Sequence, residues 1–296
     1  MGDYINGVNY IPYLKGAIKM NINFGKYEVP ATLQRLVELE KLLSDPEQFY
    51  LGLHFYLSLE NDIRYFNTPS DVVVFGNIGV DGVHYGFLTD YGLVMNLEKA
   101  PIVCVCPVDF DRPVRIIAQS LSEFLRLNVS NSELFYNEFN SEGAYLAARE
   151  QWEEEEAHSF YHQTKNEKLT QERVENYLMN NFQLPFIENP FRYIQEVEME
   201  RKRNVSIATQ DGLGIITPLL PCENHKPFEI NKEKDLDLNL LREYLNSAPV
   251  ASRLAVFRDI QFNYVLQDYP ELFQIVIETM VNLGLIDEVN RLSESI

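Results

Sequence analysis

Four short apolar runs between residues 69 and 118 set the main constraint on the fold. Asp71-Val-Val-Val-Phe75, Val83 to Thr89, Pro101-Ile-Val-Cys-Val-Cys106 and Pro113 to Ala118 have strand length and strand chemistry. Turn formers separate them, most densely at Gly76-Asn-Ile-Gly-Val-Asp-Gly82. Helical patterns lie on both sides. Before the block, Leu33, Leu36, Val37, Leu39 and Leu43 mark one amphipathic helix, and Ser44-Asp45-Pro46-Glu47 stops it and starts a second through Phe49, Leu53, Tyr56 and Leu57. After it, Ser120-Leu-Ser-Glu123 has capping-box spacing and opens a helix through Phe124, Leu125 and Leu127. Strands joined by short turns and flanked by helices predict an α+β fold with an antiparallel sheet.

Beyond about residue 130 the pattern is mainly helical. Candidate helices cover Ser132 to Phe139, Glu142 to Gln163, Thr170 to Asn181 and Phe191 to Arg203, with a break at Asn189-Pro190. Val205 to Thr217 reads as a hairpin and Pro218 to Lys234 as a linker. The helical period returns at Asp235 and runs through Ala251 to Leu292, with Pro270 opening one of its helices. The expected organisation is an α+β domain over 1–130 and a mainly helical region over 131–296. Residues 1–30 are rich in Gly, Asn and Tyr and read as either a strand or a loose arm.

Charge narrows the choice of partner. The chain of 296 residues carries 44 acidic and 25 basic side chains, a formal charge of -19. The excess is shared by both halves, so it is not an acidic tail. Such a field repels polyphosphate and attracts basic proteins, and no basic block longer than Arg201-Lys202-Arg203 offsets it. DNA and RNA are therefore not expected partners. The longest apolar stretches fall far short of the roughly 20 residues of a membrane span. The first residues lack the apolar core of a signal peptide, and three cysteines do not form a disulfide framework. The expectation is a cytoplasmic protein away from membranes.

No constellation makes a strong case for an enzyme. The glycine-rich segment 76–82 follows a strand, as a phosphate loop would, but strand-like residues follow it, so a hairpin connection is the better reading. Cys104 and Cys106 share a strand face and could ligate a soft metal or form a redox pair. Their Ile, Val and Pro surroundings favour core packing. His158 and His162, with Glu154 and Glu155 a turn earlier, could hold zinc or nickel for a hydrolase. Ser159 stands where a zincin needs Glu, and a solvated acidic helix face fits better. There is no Gly-x-Ser-x-Gly elbow. No catalytic residue, metal ligand or cofactor is expected.

The centre of the chain resembles a known family. Thr68-Pro-Ser-Asp-Val-Val-Val-Phe-Gly76, Gly79-Val-Asp-Gly82 and His84-Tyr-Gly-Phe-Leu-Thr-Asp90 are similar to the core of the SUKH superfamily, which includes fungal cell-wall-synthesis regulators and bacterial toxin-immunity proteins. The Pro101-led strand and Ser120-Leu-Ser-Glu-Phe-Leu125 continue the likeness, which spans about residues 32–127. Asn77-Ile-Gly-Val departs from the family's glycine-rich turn, and the half beyond residue 130 has no counterpart. The resemblance implies a SUKH-like α+β domain that binds proteins without catalysis. Together with the charge it suggests an immunity protein that neutralises a basic toxin domain. The alternative is a regulatory scaffold acting through its helical C-terminal half. A binding face is expected at the turns, with Asp81, Asp90, Asp109 and Asp111 beside exposed Tyr85 and Tyr91.

Overall fold

In the computed structural model, residues 22–43, 45–59, 63–158, 163–267 and 269–294 are described. The question of an arm or strand over residues 1–30 therefore lies, up to residue 21, outside the described residues. Residues 22–27 form turns, with Phe24 buried.

The strand block folds into one antiparallel sheet whose order follows the chain. Its strands are β1 (Tyr56–Leu57), β2 (Val72–Asn77), β3 (His84–Leu88), β4 (Ile102–Val105) and β5 (Val114–Ala118). Every residue of β2 to β5 is buried except Asn77. An antiparallel sheet with one wet face would alternate. These runs are buried throughout because both faces are covered, and the His84 and Arg115 side chains among them are hydrogen-bonded.

On the first face, Val73, Phe75, Tyr85, Phe87, Cys104 and Ile117 pack against α1 (Ala31–Leu43), α2 (Pro46–Leu53) and α3 (Leu121–Asn131). Phe55, Phe75, Tyr85, Phe124 and Phe135 form the centre of that layer, mostly edge to face at 4.8–6.4 Å. On the second face, Val72, Val74, Leu88, Val103, Val105, Val114 and Ile116 meet Val197 and Leu213.

The remaining helices are α4 (Glu142–His158), α5 (Lys165–Asn181), α6 (Pro190–Asn204), α7 (Leu238–Ser247), α8 (Val250–Phe262), α9 (Pro270–Asn282) and α10 (Ile286–Ser293). Packing crosses the boundary expected at residue 130. Val174 and Leu178 of α5 complete the first layer, and Val197 of α6 covers the second face. Helices α7 to α10 enclose a further core through Leu241, Phe257, Ile260, Leu272, Val276 and Leu292.

Several boundaries follow from local chemistry. Asp45 accepts the Glu47 amide and Pro46 stands in the first turn of α2. Ser120 accepts the Glu123 amide, and Asn189 accepts that of Arg192 ahead of Pro190. The expected hairpin closes through a single bridge, Ile207 with Ile215. Other boundaries differ from the sequence pattern. The second helix stops at Leu53 because His54 is left-handed (φ 54°), and Tyr56 and Leu57 pair with Asn77 and Gly76 instead. Ser132 to Phe139 holds only a 3-10 turn over Ser132–Leu134. α4 is described as far as His158, with residues 159–162 outside the described residues, and α5 begins at Lys165, where Thr164 and Glu167 make a capping box.

Gly86 sits where β2 and β3 approach closely. A Cβ there would overlap the Val72 side chain and come within 3.0 Å of the Val73 carbonyl. Gly86→Ala is expected to destabilise the fold by about 1–3 kcal/mol, read as a lower urea midpoint at unchanged slope.

Candidate binding surface at the loop end of the sheet

In a meander, alternate connections leave the same end of the sheet. The β2–β3 connection (78–83) and the β4–β5 connection (106–113) therefore emerge together. A third segment, 65–67, joins them. The Tyr65 ring stacks on His84 at 5.8 Å and rests against Gly82, whose positive φ (67°) and missing side chain admit it. Asn67 Nδ2 donates to the Pro107 carbonyl (3.3 Å) and to the Tyr264 hydroxyl (2.6 Å), and Tyr264 donates to the same carbonyl (3.2 Å). The Phe110 ring lies 6.5 Å from that of Tyr264.

These loops carry apolar side chains outward. Phe110 is 69% exposed, Val108 60%, Val80 54%, Tyr65 42% and Phe66 41%. Asp81 and Asp111 are exposed among them. The loops are also held in place. Asp109 Oδ1 accepts the Asp111 and Arg112 amides (3.2 and 3.0 Å), and its Oδ2 accepts from Arg115 Nη2 (2.7 Å). Partial burial works against the Asp109 charge, but the Arg112 amide and the Arg115 guanidinium outweigh it and hold the carboxyl below its ordinary range. Next to the loop a cleft of about 240 Å³ opens between Arg112 and Arg115 on one side and Phe139 and Phe191 on the other.

Of the six side chains expected at a binding face, Asp81 and Asp111 are on this surface and Asp109 is bound into it. The other three require correction. Tyr85 is fully buried in the aromatic layer. Asp90 is 4% exposed, and both its oxygens accept from Arg201 (2.8 and 2.6 Å). Arg201 also donates to the Leu213 and Gly214 carbonyls, which ties the 207–215 hairpin to the far end of the sheet. Tyr91 is buried beneath Arg258, whose guanidinium carbon lies 5.4 Å from the ring centre. Asp90 and Tyr91 do form a turn, with φ of 48° and 54°, but the C-terminal half folds over it. Tyr65, Phe66, Val80, Val108 and Phe110 were not anticipated. Their signal was available as apolar residues inside turn-forming segments.

The opposite end is held by a buried polar network. Arg258 donates to Asp71 Oδ2 (2.6 Å) and Asp211 Oδ2 (3.1 Å). Gln261 accepts the Ser70 amide and donates to the Thr68 carbonyl. Arg291 donates to the Ser70 and Asn23 carbonyls and to Glu288. Burial pushes the Asp71 carboxyl up to about 6, against the pull of Arg258. Burial disfavours the Arg258 cation too, yet Asp71 and Asp211 hold it above the usual guanidinium range.

Among the described residues, no three His, Cys, Asp or Glu side chains come together to hold a metal ion. His158 Nδ1 meets the Glu154 carbonyl of its own helix (2.7 Å), and His162 lies outside the described residues. No helix among the described residues is long and apolar enough to cross a membrane. No protein-family model and no curated protein matches the chain.

Proposed function

We propose that this chain is a non-catalytic protein-binding module of the toxin-immunity kind, acting in the cytoplasm on a basic partner domain. The observation that carries the reading is the loop end of the sheet. Exposed Val80, Val108, Phe110, Tyr65 and Phe66 alternate there with the carboxylates of Asp81 and Asp111. Aromatic anchors ringed by charge are what protein interfaces use, and a net charge of -19 would speed encounter with a basic partner. The SUKH-like motif supports the same class.

The competing reading is a scaffold that works through residues beyond 130. Truncation at that point would not separate the two, because α5 packs on α2 in the first layer while α6 and the 207–215 hairpin cover the second face of the sheet. Point substitutions in the full-length chain do separate them.

The test is capture of partners by the tagged protein from its host at low salt, repeated with Phe110→Ser and with Asp81→Lys/Asp111→Lys. Phe110→Ser is expected to leave folding stability within about 0.5 kcal/mol and to weaken the captured complex by about 2 kcal/mol, roughly 30-fold. The charge reversals are expected to slow association and flatten its salt dependence. A partner that is not basic, or one retained equally by all variants, would move the function away from this surface.

A further inference from the structure

Cys104 and Cys106 lie two residues apart at the end of β4, so both side chains leave the same face of the sheet. Their sulfurs are 3.8 Å apart and both thiols are buried. Arg115 is the cross-strand partner of Cys104 in the β4–β5 ladder. Its side chain is only 7% exposed, and its Nε has no hydrogen-bond partner among the described residues.

We propose that Cys104 and Cys106 form a two-coordinate site for a soft monovalent metal ion, copper(I). Coordination number selects the ion. With no third His, Cys, Asp or Glu gathered there among the described residues, a four-coordinate zinc site is not built. Copper(I) prefers thiolate, and two such ligands suffice; the two sulfurs already stand 3.8 Å apart.

Charge supports the choice. Loading is a ligand exchange without redox change: one copper(I) ion and two thiols give a bis-thiolate monoanion and two protons. A buried anion requires a neighbouring cation, and Arg115 stands in register with the pair. Its Nη2 serves Asp109 and lies 3.4 Å from Glu138, which leaves Nε for the new charge. The thiols are also inequivalent. The hydrogen bond from Cys104 holds the Cys106 thiol below its ordinary range, with Arg115 acting in the same direction, while burial raises Cys104. Cys106 is the less buried of the two.

The test uses reduced, oxygen-free full-length protein with Cys222→Ser, which removes the exposed cysteine. Titrated against the copper(I)–bicinchoninate complex, this parent is expected to withdraw one equivalent of copper and to gain an ultraviolet thiolate-to-copper band. Cys104→Ala and Cys106→Ala should each abolish withdrawal, with Cys106→Val as the volume-conserving check where alanine lowers the unfolding midpoint. Arg115→Gln keeps both thiols and is expected to weaken binding about 10-fold. A parent that withdraws no copper, or a folded Cys104→Ala/Cys106→Ala variant that withdraws as much as the parent, overturns the assignment.

Discussion

Replacing Arg258 by methionine is expected to remove about 3–5 kcal/mol of folding stability, the largest loss expected from a single side chain here. Arg258 is 1% exposed and bridges Asp71, at the mouth of β2, to Asp211 in the hairpin. The intact cluster is not by itself a large source of stability. Among the described residues Asp71 Oδ1 and Arg258 Nε have no hydrogen-bond partner, and ion pairs removed from water repay little beyond their desolvation. Breaking it is another matter, because methionine fills the space and leaves two carboxylates buried without a cation. A single domain has only about 5–15 kcal/mol in total, so the variant should be close to unfolding at 37 °C.

Urea unfolding followed by circular dichroism measures the loss. The deficit should shrink as pH falls from 7 toward 5, since the orphaned carboxyls protonate and burial already holds Asp71 at about 6 with the cation present. Adding Asp71→Asn and Asp211→Asn to Arg258→Met should recover part of the stability. A loss under about 1 kcal/mol for the single variant would mean that water reaches the cluster.

The second large effect is an acid dependence due to His84. Its ring is fully buried beneath Tyr65, with Nδ1 2.7 Å from the Gly82 carbonyl and Nε2 3.0 Å from the Thr68 hydroxyl. Nδ1 must carry the proton to donate to a carbonyl, which leaves Nε2 to accept from Thr68. The ring is neutral. Burial lowers its pKa from 6.5 to about 4, outweighing the Gly82 carbonyl, with Arg64 adding to the fall. A base with a depressed folded pKa contributes stability that is whole above pH 6.5 and is lost as pH falls toward 4.

The expected loss between pH 7 and pH 4 is about 3 kcal/mol. Asp71 and Asp259, both raised to about 6 by burial, bind protons more tightly when folded and act in the opposite direction. The His84 contribution is therefore the stability of the wild type minus that of His84→Gln, followed against pH. A difference that stays flat from 7 to 4 would show that His84 is already hydrated or charged. Because His84 carries Tyr65, the same protonation is expected to loosen the candidate binding surface.

Much of the local structure was legible in the sequence because local forces decide it. Asp45-Pro46, Ser120-x-x-Glu123 and Asn189-Pro190 all act as helix starts, since a short polar side chain meets free amides wherever a helix begins. The four apolar runs became β2 to β5: each has strand length and is bounded by turn formers. Tyr56 and Leu57 continue a helical period, and only pairing with Gly76 and Asn77 makes them a strand. That pairing is not a local property.

The candidate surface divides in the same way. Aspartates at turns were visible as turn residues, and Asp81 and Asp111 remain on the outside. Asp90 and Tyr91 make a similar turn, yet Arg201 and Arg258, more than 100 positions later, close over it. The short apolar runs foretold an antiparallel sheet flanked by helices, but not that both its faces are buried or that residues beyond 130 supply much of the cover. By itself, then, the sequence determined where strands, turns and helix starts fall, through steric and hydrogen-bonding preferences that act within a few residues. Which turns face solvent, and which carboxylates become internal ion pairs, only the tertiary structure decided, because burial depends on what packs on top.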